Sequence, residues 1–145
     1  MEKINSFKII LLTAFGVAGS GLSKLLGGFD MTLQILIVLM IADYVTGLIV
    51  AGVFKKSGKT ETGALESRAG WKGLCRKGMV LLIVLVATQL DKVTGIDFIR
   101  NTVILGYVAN EAISITENAG LMGVPLPGVL TNAINVLKQK AESEE

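Results

Sequence analysis

Long apolar runs separated by short polar links make up most of this chain. The clearest run extends from Leu33 to Phe54 and is interrupted by one ionisable residue, Asp43. An apolar run of about twenty residues predicts a helix that spans a bilayer. The alternative is a core helix of a large soluble protein, but a chain of 145 residues has little other material to cover such a helix. The pattern therefore predicts a membrane protein.

The apolar runs together predict an all-α, polytopic membrane protein that forms a single membrane domain. The expected elements are transmembrane helices at residues 7–26, 33–54, 74–90 and 98–119, and a C-terminal amphipathic helix over 128–140. The third helix is the shortest, and its apolar part also fits a re-entrant element. We expect a crossing in which Arg76 and Lys77 reach out to the headgroups. A helix this short would thin the bilayer locally or favour oligomerisation.

Small residues are concentrated in the first apolar run. They let helix backbones approach closely in lipid, where little hydrophobic drive brings helices together. The expected packing positions are Ala14, Gly16, Ala18 and Ser20. The same run also resembles a secretory signal peptide that would be cleaved after a small-residue stretch. Retention of the helix is favoured because apolar residues resume at Leu22.

Positive charge is concentrated in the loop between the second and third helices, residues 55–77. Its basic residues are Lys55, Lys56, Lys59, Arg68, Lys72, Arg76 and Lys77, against two acids, Glu61 and Glu66. The positive-inside rule places such a loop in the cytoplasm. Lysines near both chain ends, among them Lys3, Lys138 and Lys140, place the termini on the same side. The expected location is the cytoplasmic membrane, with both termini inside.

Composition excludes several classes of function. Hydrophobic residues make up 51% of the chain and the mean hydropathy is +0.62, which leaves no sizeable soluble domain. The chain has no histidine and one cysteine, Cys75, which excludes the commonest transition-metal and nucleophile–base sites. We therefore expect no enzymatic activity, no metal and no cofactor. A net charge of +2 is too small to indicate nucleic acid as a partner.

The fourth apolar run carries polar residues along one helical face. These residues are Tyr107, Glu111, Ser114 and Asn118, with Glu117 at the edge. The second helix has a smaller polar face, formed by Asp43, Thr46 and Gly47. A carboxylate at the centre of a membrane helix costs roughly 2.5–3.5 kcal/mol on insertion scales. Asp43 and Glu111 must therefore face protein or water, where they would contribute to assembly or to a pore.

The two embedded acids lack an evident cationic partner. The cations Lys24, Arg76, Lys77, Lys92 and Arg100 all fall nearer the membrane interfaces. Without a cation beside them, Asp43 and Glu111 would be protonated in a packed polar interior or ionised along a water-filled lumen of an oligomer. The residues alone leave both possibilities open.

The segment after the fourth helix has the pattern of a surface helix. Its apolar stripe consists of Val129, Leu130, Ala133, Ile134 and Leu137, with polar residues beside it. A helix of this kind is typical of one that lies on the inner membrane surface. The mixed-charge tail that follows, from Lys138 to Glu145, is expected to stay in solvent.

A set of short motifs occurs in an order and spacing that match a known family. The motifs are Asp43-Tyr-Val-Thr46-Gly47, Gly73-Leu-Cys-Arg76-Lys77, Asp91, Tyr107, Glu111-Ala-Ile-Ser114-Ile-Thr-Glu117-Asn118, Gly123-Val-Pro125-Leu-Pro127 and Leu137-Lys138. The chain resembles the toxin-secretion and phage-lysis holins of clostridial and other Gram-positive phages. The resemblance extends from about Gln34 to Lys138 and leaves out the first helix.

The resemblance implies a non-catalytic protein that accumulates in a bacterial cytoplasmic membrane and forms homo-oligomers. These would open lesions through which an endolysin or a large toxin leaves the cell, under the control of an antiholin in some systems. The residues alone also fit a small oligomeric ion channel or transporter subunit, with Asp43 and Glu111 along its pathway. A membrane scaffold that recruits a partner through the basic loop is a third interpretation.

Overall fold

The computed structural model describes residues 2–143, which form an all-helical chain. Its helices are α1 (Glu2–Leu25), α2 (Met31–Ile49), α3 (Ser67–Thr94), α4 (Ile99–Leu121) and α5 (Gly128–Ser143), and a π-helix (Val50–Phe54) extends α2. The predicted all-α class is confirmed. The side chains of Lys3, Leu137, Lys138 and Lys140, used in the sequence predictions, lie outside the described part, as do residues 144 and 145.

Three helices of the described chain are long and apolar enough to cross a membrane. They occupy Asn5–Leu25, Met31–Phe54 and Ser67–Thr94. The fourth predicted crossing, α4, has 23 residues, about 35 Å at 1.5 Å per residue, which also matches the thickness of a bilayer core. Its polar face makes it less apolar than the other three. A crossing by α4 therefore stays a prediction, supported by its packing along α2 and α3.

The third helix is longer than its sequence pattern predicts. It begins at Ser67 instead of residue 74 and continues to Thr94, so its 28 residues measure about 42 Å, more than the roughly 30 Å of a bilayer core. The predicted third helix is therefore too short, and the bilayer strain derived from its short apolar part stays a prediction. The basic loop is correspondingly shorter, and residues 55–66 form the connector between α2 and α3.

Helices α2, α3 and α4 pack into a three-helix unit, with the most extensive contact between α2 and α4. The centre of this unit is apolar, and Leu33, Leu36, Val84 and Ile104 are completely buried. Helix α1 lies apart and contacts only α3 among the described helices. One face of the unit and nearly all of α1 are therefore left to contact lipid or other molecules.

Arg100, at the start of α4, joins this helix to the link between α1 and α2. Its Nη1 and Nη2 atoms donate to the two carboxylate oxygens of Asp30, at 2.8 and 3.1 Å. The Nε atom donates to the carbonyl of Leu26 at 2.6 Å, and Nη2 also donates to the carbonyl of Gly28 at 3.2 Å. Gly27 has a φ of +85°, and a Cβ there would lie 2.7 Å from Arg100 Nε. Glycine is therefore required at position 27.

Replacing Arg100 with glutamine is expected to destabilise the folded chain by about 2–3 kcal/mol, because a buried guanidinium is lost and two carbonyl groups lose their charged donor. Denaturant unfolding in detergent micelles would measure the change. Lys92→Gln is the matched control, since Lys92 is an exposed cation at the same end of the unit. An equal loss of stability in both variants would contradict a specific role for Arg100.

The free energy of unfolding of these two variants should also depend differently on pH in the acidic range. The Arg100 guanidinium holds the pKa of the Asp30 carboxyl below its usual value of 3.8, although partial burial opposes the shift. A carboxyl with a lowered folded-state pKa stabilises the protein above its unfolded pKa, and that stabilisation is lost as the pH falls through the folded pKa. Below about pH 4, the parent protein and Lys92→Gln should lose the stabilisation that the ionised Asp30 carboxylate provides. Arg100→Gln should not show this loss, because it lacks that stabilisation at every pH.

Candidate functional site: a buried charged triad

Between the apolar core of the three-helix unit and the connector lie three charged side chains, one from each helix. The Nζ atom of Lys77 on α3 donates to Oδ2 of Asp43 on α2 at 2.8 Å and to Oε2 of Glu111 on α4 at 2.5 Å. The three side chains are 13%, 7% and 6% exposed, respectively. We refer to Asp43, Lys77 and Glu111 as the triad. When all three groups are ionised, two carboxylates share one ammonium and one negative charge remains.

Close approach of α2 and α3 brings Lys77 to the acids. Two glycines of α3 face the ring of Tyr44 on α2: a Cβ on Gly73 would lie 3.7 Å from the ring, and the Tyr44 hydroxyl donates to the carbonyl of Gly70 at 3.4 Å. Because Lys77 lies four residues after Gly73, it points to the same side of α3. Small residues at 70 and 73 thus place the ammonium group within reach of Asp43.

A layer of uncharged hydrogen bonds adjoins the triad. The Asn118 amide donates to the hydroxyl of Thr46 at 2.9 Å and to Oδ1 of Asp43 at 3.3 Å. The Thr46 hydroxyl in turn donates to the carbonyl of Asp43 at 3.0 Å. Within the described residues, every buried side-chain nitrogen and oxygen has a hydrogen-bond partner. The polar side chains of α2 and α4 therefore find their hydrogen-bond partners within the same chain.

The expectation that no cation lies beside the embedded acids is wrong. Lys77 was predicted to extend to the headgroups from a basic loop, but it lies within α3 and its ammonium contacts both carboxylates. The physical reason is the cost of an unpaired charge in an apolar surrounding, which exceeds the cost of burying a paired one.

The other predicted site residues fall into three groups. Tyr107 packs against the apolar core, Gly47 lies next to Asn118, and Ser114 is half-buried. Glu117 is exposed. The basic residues of the predicted loop that do not belong to the triad are all exposed: Lys55, Lys56, Lys59, Arg68, Lys72 and Arg76. The proposed helix-packing positions of α1 are exposed as well: Ala14, Gly16, Ala18 and Ser20.

Among the described residues, no group of three or more histidine, cysteine, aspartate or glutamate side chains could hold a metal ion. The contacts of the triad are those of an ion pair shared by three helices. It can hold α2, α3 and α4 together, and its stability depends on all three members remaining charged and in contact.

Comparison with known proteins identifies the family. The model of the bacteriophage holin family matches residues 20–139. The chain belongs to this family. It is also 36% identical to a probable holin of Bacillus phage phi105 over 118 residues, which cover 78% of this chain and 82% of that protein. The holin resemblance inferred from the motifs is thus confirmed.

Bacterial relatives extend over more of the chain. An uncharacterized protein of Listeria monocytogenes is 35% identical over 138 residues, covering 93% of each chain. An uncharacterized 14.9 kDa protein of Clostridium perfringens is 34% identical over 136 residues, covering 91% of this holin-family chain and 97% of the relative. No solved structure matches the chain. Family membership and the apolar helices identify a membrane protein, and the family suggests a non-enzymatic one.

Proposed function

We propose that this protein acts as a holin. It accumulates in the cytoplasmic membrane of a bacterium, associates with further copies of itself, and opens lesions that release an endolysin or a large toxin. The observation that carries the proposal is a charged triad buried among the helices of a chain of the holin family. Under this proposal, an antiholin would be the partner that regulates the protein.

The enclosed polar residues suit a protein with a sealed and an open state. The wall of a water-filled lesion needs polar side chains that face water. In this unit, the polar faces of α2 and α4 carry such side chains. In the folded chain they face one another, and Asp43, Glu111 and Asn118 are buried. Lesion formation would therefore require α2, α3 and α4 to rearrange, a shift between two states of comparable free energy.

The exposed surface of α1 suits self-association. Gly16, Gly19 and Gly21 have open space where a Cβ would be, and small residues on one helix allow close packing with another in lipid. The basic connector supports an orientation with both termini in the cytoplasm, since it lies at the same end of the unit as the link to α5. Multiple crossings with internal termini complete the proposed topology.

Controlled expression beside a cytosolic endolysin that lacks its own export signal tests the proposal. We expect an abrupt fall in culture turbidity after a delay, together with release of a cytosolic reporter protein. Expression of either protein alone provides the first control, and a catalytically inactive endolysin provides the second. Reporter release in the presence of inactive endolysin would separate membrane opening from wall digestion.

A small ion channel is the second candidate, because a cavity lined by the triad residues also reaches the basic connector. The apolar core lies between the triad and the opposite end of the unit, where it would act as a gate. The same assay separates the two functions. Loss of membrane potential without escape of the reporter would support the channel, and an intact, energised membrane would contradict both and favour a scaffold.

A further inference from the structure

A cavity of about 430 Å³ lies between α2, α3, α4 and the connector. The triad lines one part of it, and half-buried Ser57 and Thr60 of the connector line another. Three further cations belong to its wall: Lys59, Lys72 and Arg76. All three are exposed, so they mark the mouth where the cavity meets its surroundings. The role proposed for the protein does not use these residues.

The three cations at the mouth form no close ion pair with a carboxylate of the described residues. Among the described residues, ion pairs within 4.0 Å involve only Lys77 and Arg100 as cations. The acids near the mouth are Glu66 and Glu117, so the mouth itself carries three positive and two negative charges. The triad behind it keeps one negative charge, which offsets that excess over the cavity as a whole. The mouth still presents three exposed cationic donors without a close carboxylate, and such donors suit an anion that approaches from outside the cavity.

The position of the mouth relative to the bilayer indicates which anion binds there. Helix α3 is about 12 Å longer than a bilayer core, and its apolar run begins only at Gly78. Its first turns, which carry Lys72 and Arg76, are therefore expected at the level of the headgroups. Trp71 beside them is 67% exposed, as is usual for tryptophan at the interface. Basic pockets between membrane helices at this level suit phospholipid headgroups. We infer that Lys59, Lys72 and Arg76 bind the phosphate group of an anionic phospholipid at the mouth of this cavity.

Trp71 is the only tryptophan of the chain and lies next to Lys72, so its fluorescence reports the neighbouring lipid. The full-length protein would be reconstituted in phosphatidylcholine vesicles containing brominated phosphatidylglycerol, and quenching would be compared with brominated phosphatidylcholine. We expect preferential quenching by phosphatidylglycerol. In the variant Lys59→Gln/Lys72→Gln/Arg76→Gln, the relative association constant should fall by roughly 100-fold, since each cation near an anionic surface contributes a factor of about five in affinity.

A matched control separates a specific site from general surface charge. The variant Lys55→Gln/Lys56→Gln/Arg68→Gln removes the same charge from exposed residues that do not line the cavity. It should keep most of the preference. An equal loss in both variants, or no loss in the cavity variant, would overturn the site. A charge-retaining variant, Lys59→Arg/Lys72→Arg/Arg76→Lys, guards against misfolding and should keep the preference.

Inorganic phosphate provides the second arm of the experiment. It would be titrated against chloride at equal ionic strength, with the protein in vesicles of phosphatidylcholine alone. A saturable change in Trp71 fluorescence that the cavity variant lacks would mean that the site also takes phosphate from solution. Phosphatidylglycerol preference without a response to inorganic phosphate would assign the lipid as the source. Absence of both responses would overturn the inference, whatever the lysis assay gives.

Discussion

Replacing Lys77 with methionine is expected to destabilise the folded chain by about 3–5 kcal/mol, among the largest effects of any single substitution here. Methionine keeps the length of the side chain but removes the ammonium that contacts Asp43 and Glu111 at 2.8 and 2.5 Å. Two carboxylates would then remain buried side by side without a counter-charge. Denaturant unfolding in detergent micelles, followed by far-ultraviolet circular dichroism, would measure the loss.

The neighbouring residue gives the matched control for this substitution. Arg76→Met removes the same charge one position earlier on α3, but Arg76 is exposed and has no ion pair among the described residues. It should change stability by no more than about 0.5 kcal/mol, as surface substitutions usually do. Similar losses at 76 and 77 would contradict the importance of the triad.

Replacing all three members of the triad should restore much of the stability that Lys77→Met loses. In the variant Lys77→Met/Asp43→Asn/Glu111→Met no charge stays buried, and an amide oxygen at position 43 can still accept from Asn118. Replacing a complete buried ion cluster with uncharged groups of similar volume is often neutral, whereas removing one partner is costly. A triple variant as unstable as Lys77→Met would mean that the ammonium acts through packing and not through charge.

The partnership of Lys77 could have been predicted from its position on α3. Gly70, Gly73, Lys77, Val84 and Thr88 recur at helical spacing, and Val84 and Thr88 are buried. A face that begins with two glycines and ends with buried residues points into the protein, so a lysine in its middle points there too. By sequence pattern alone Lys77 belongs to the basic loop, because the apolar run of α3 begins only at Gly78.

Membrane character, helix order and the polar face of α4 were evident from the sequence because apolar runs and helical spacing are local properties. The partners of that face were not, since they depend on how three helices pack. The Arg100 contacts join residues 70 or more positions apart in the chain, such as Arg100 with Asp30 and Leu26. The start of α3 was missed because Ser67 to Lys77 is polar and glycine-rich, and this stretch becomes helical through packing against Tyr44.

A reversible crosslink between α2 and α4 is expected to abolish lesion formation. Thr46 and Asn118 are joined by a 2.9 Å hydrogen bond across the two helices, so cysteines at these positions can be bridged by a short bifunctional methanethiosulfonate. If the polar residues of the triad must turn towards water, helices that cannot separate should form no lesion. The purified Thr46→Cys/Asn118→Cys variant, in a Cys75→Ser background, would be tested in vesicles that enclose a fluorescent protein.

Three results are expected from these vesicles. The uncrosslinked variant should release the fluorescent protein, the crosslinked variant should retain it, and reduction with dithiothreitol should restore release. Each single-cysteine variant treated with the same reagent controls for modification without bridging. Full release from the crosslinked protein would mean that the three-helix unit stays closed in the lesion, whose wall must then be formed by outer surfaces of whole subunits. In that case the buried triad would stabilise the subunit, and the exposed face of α1 would become the principal candidate for assembly.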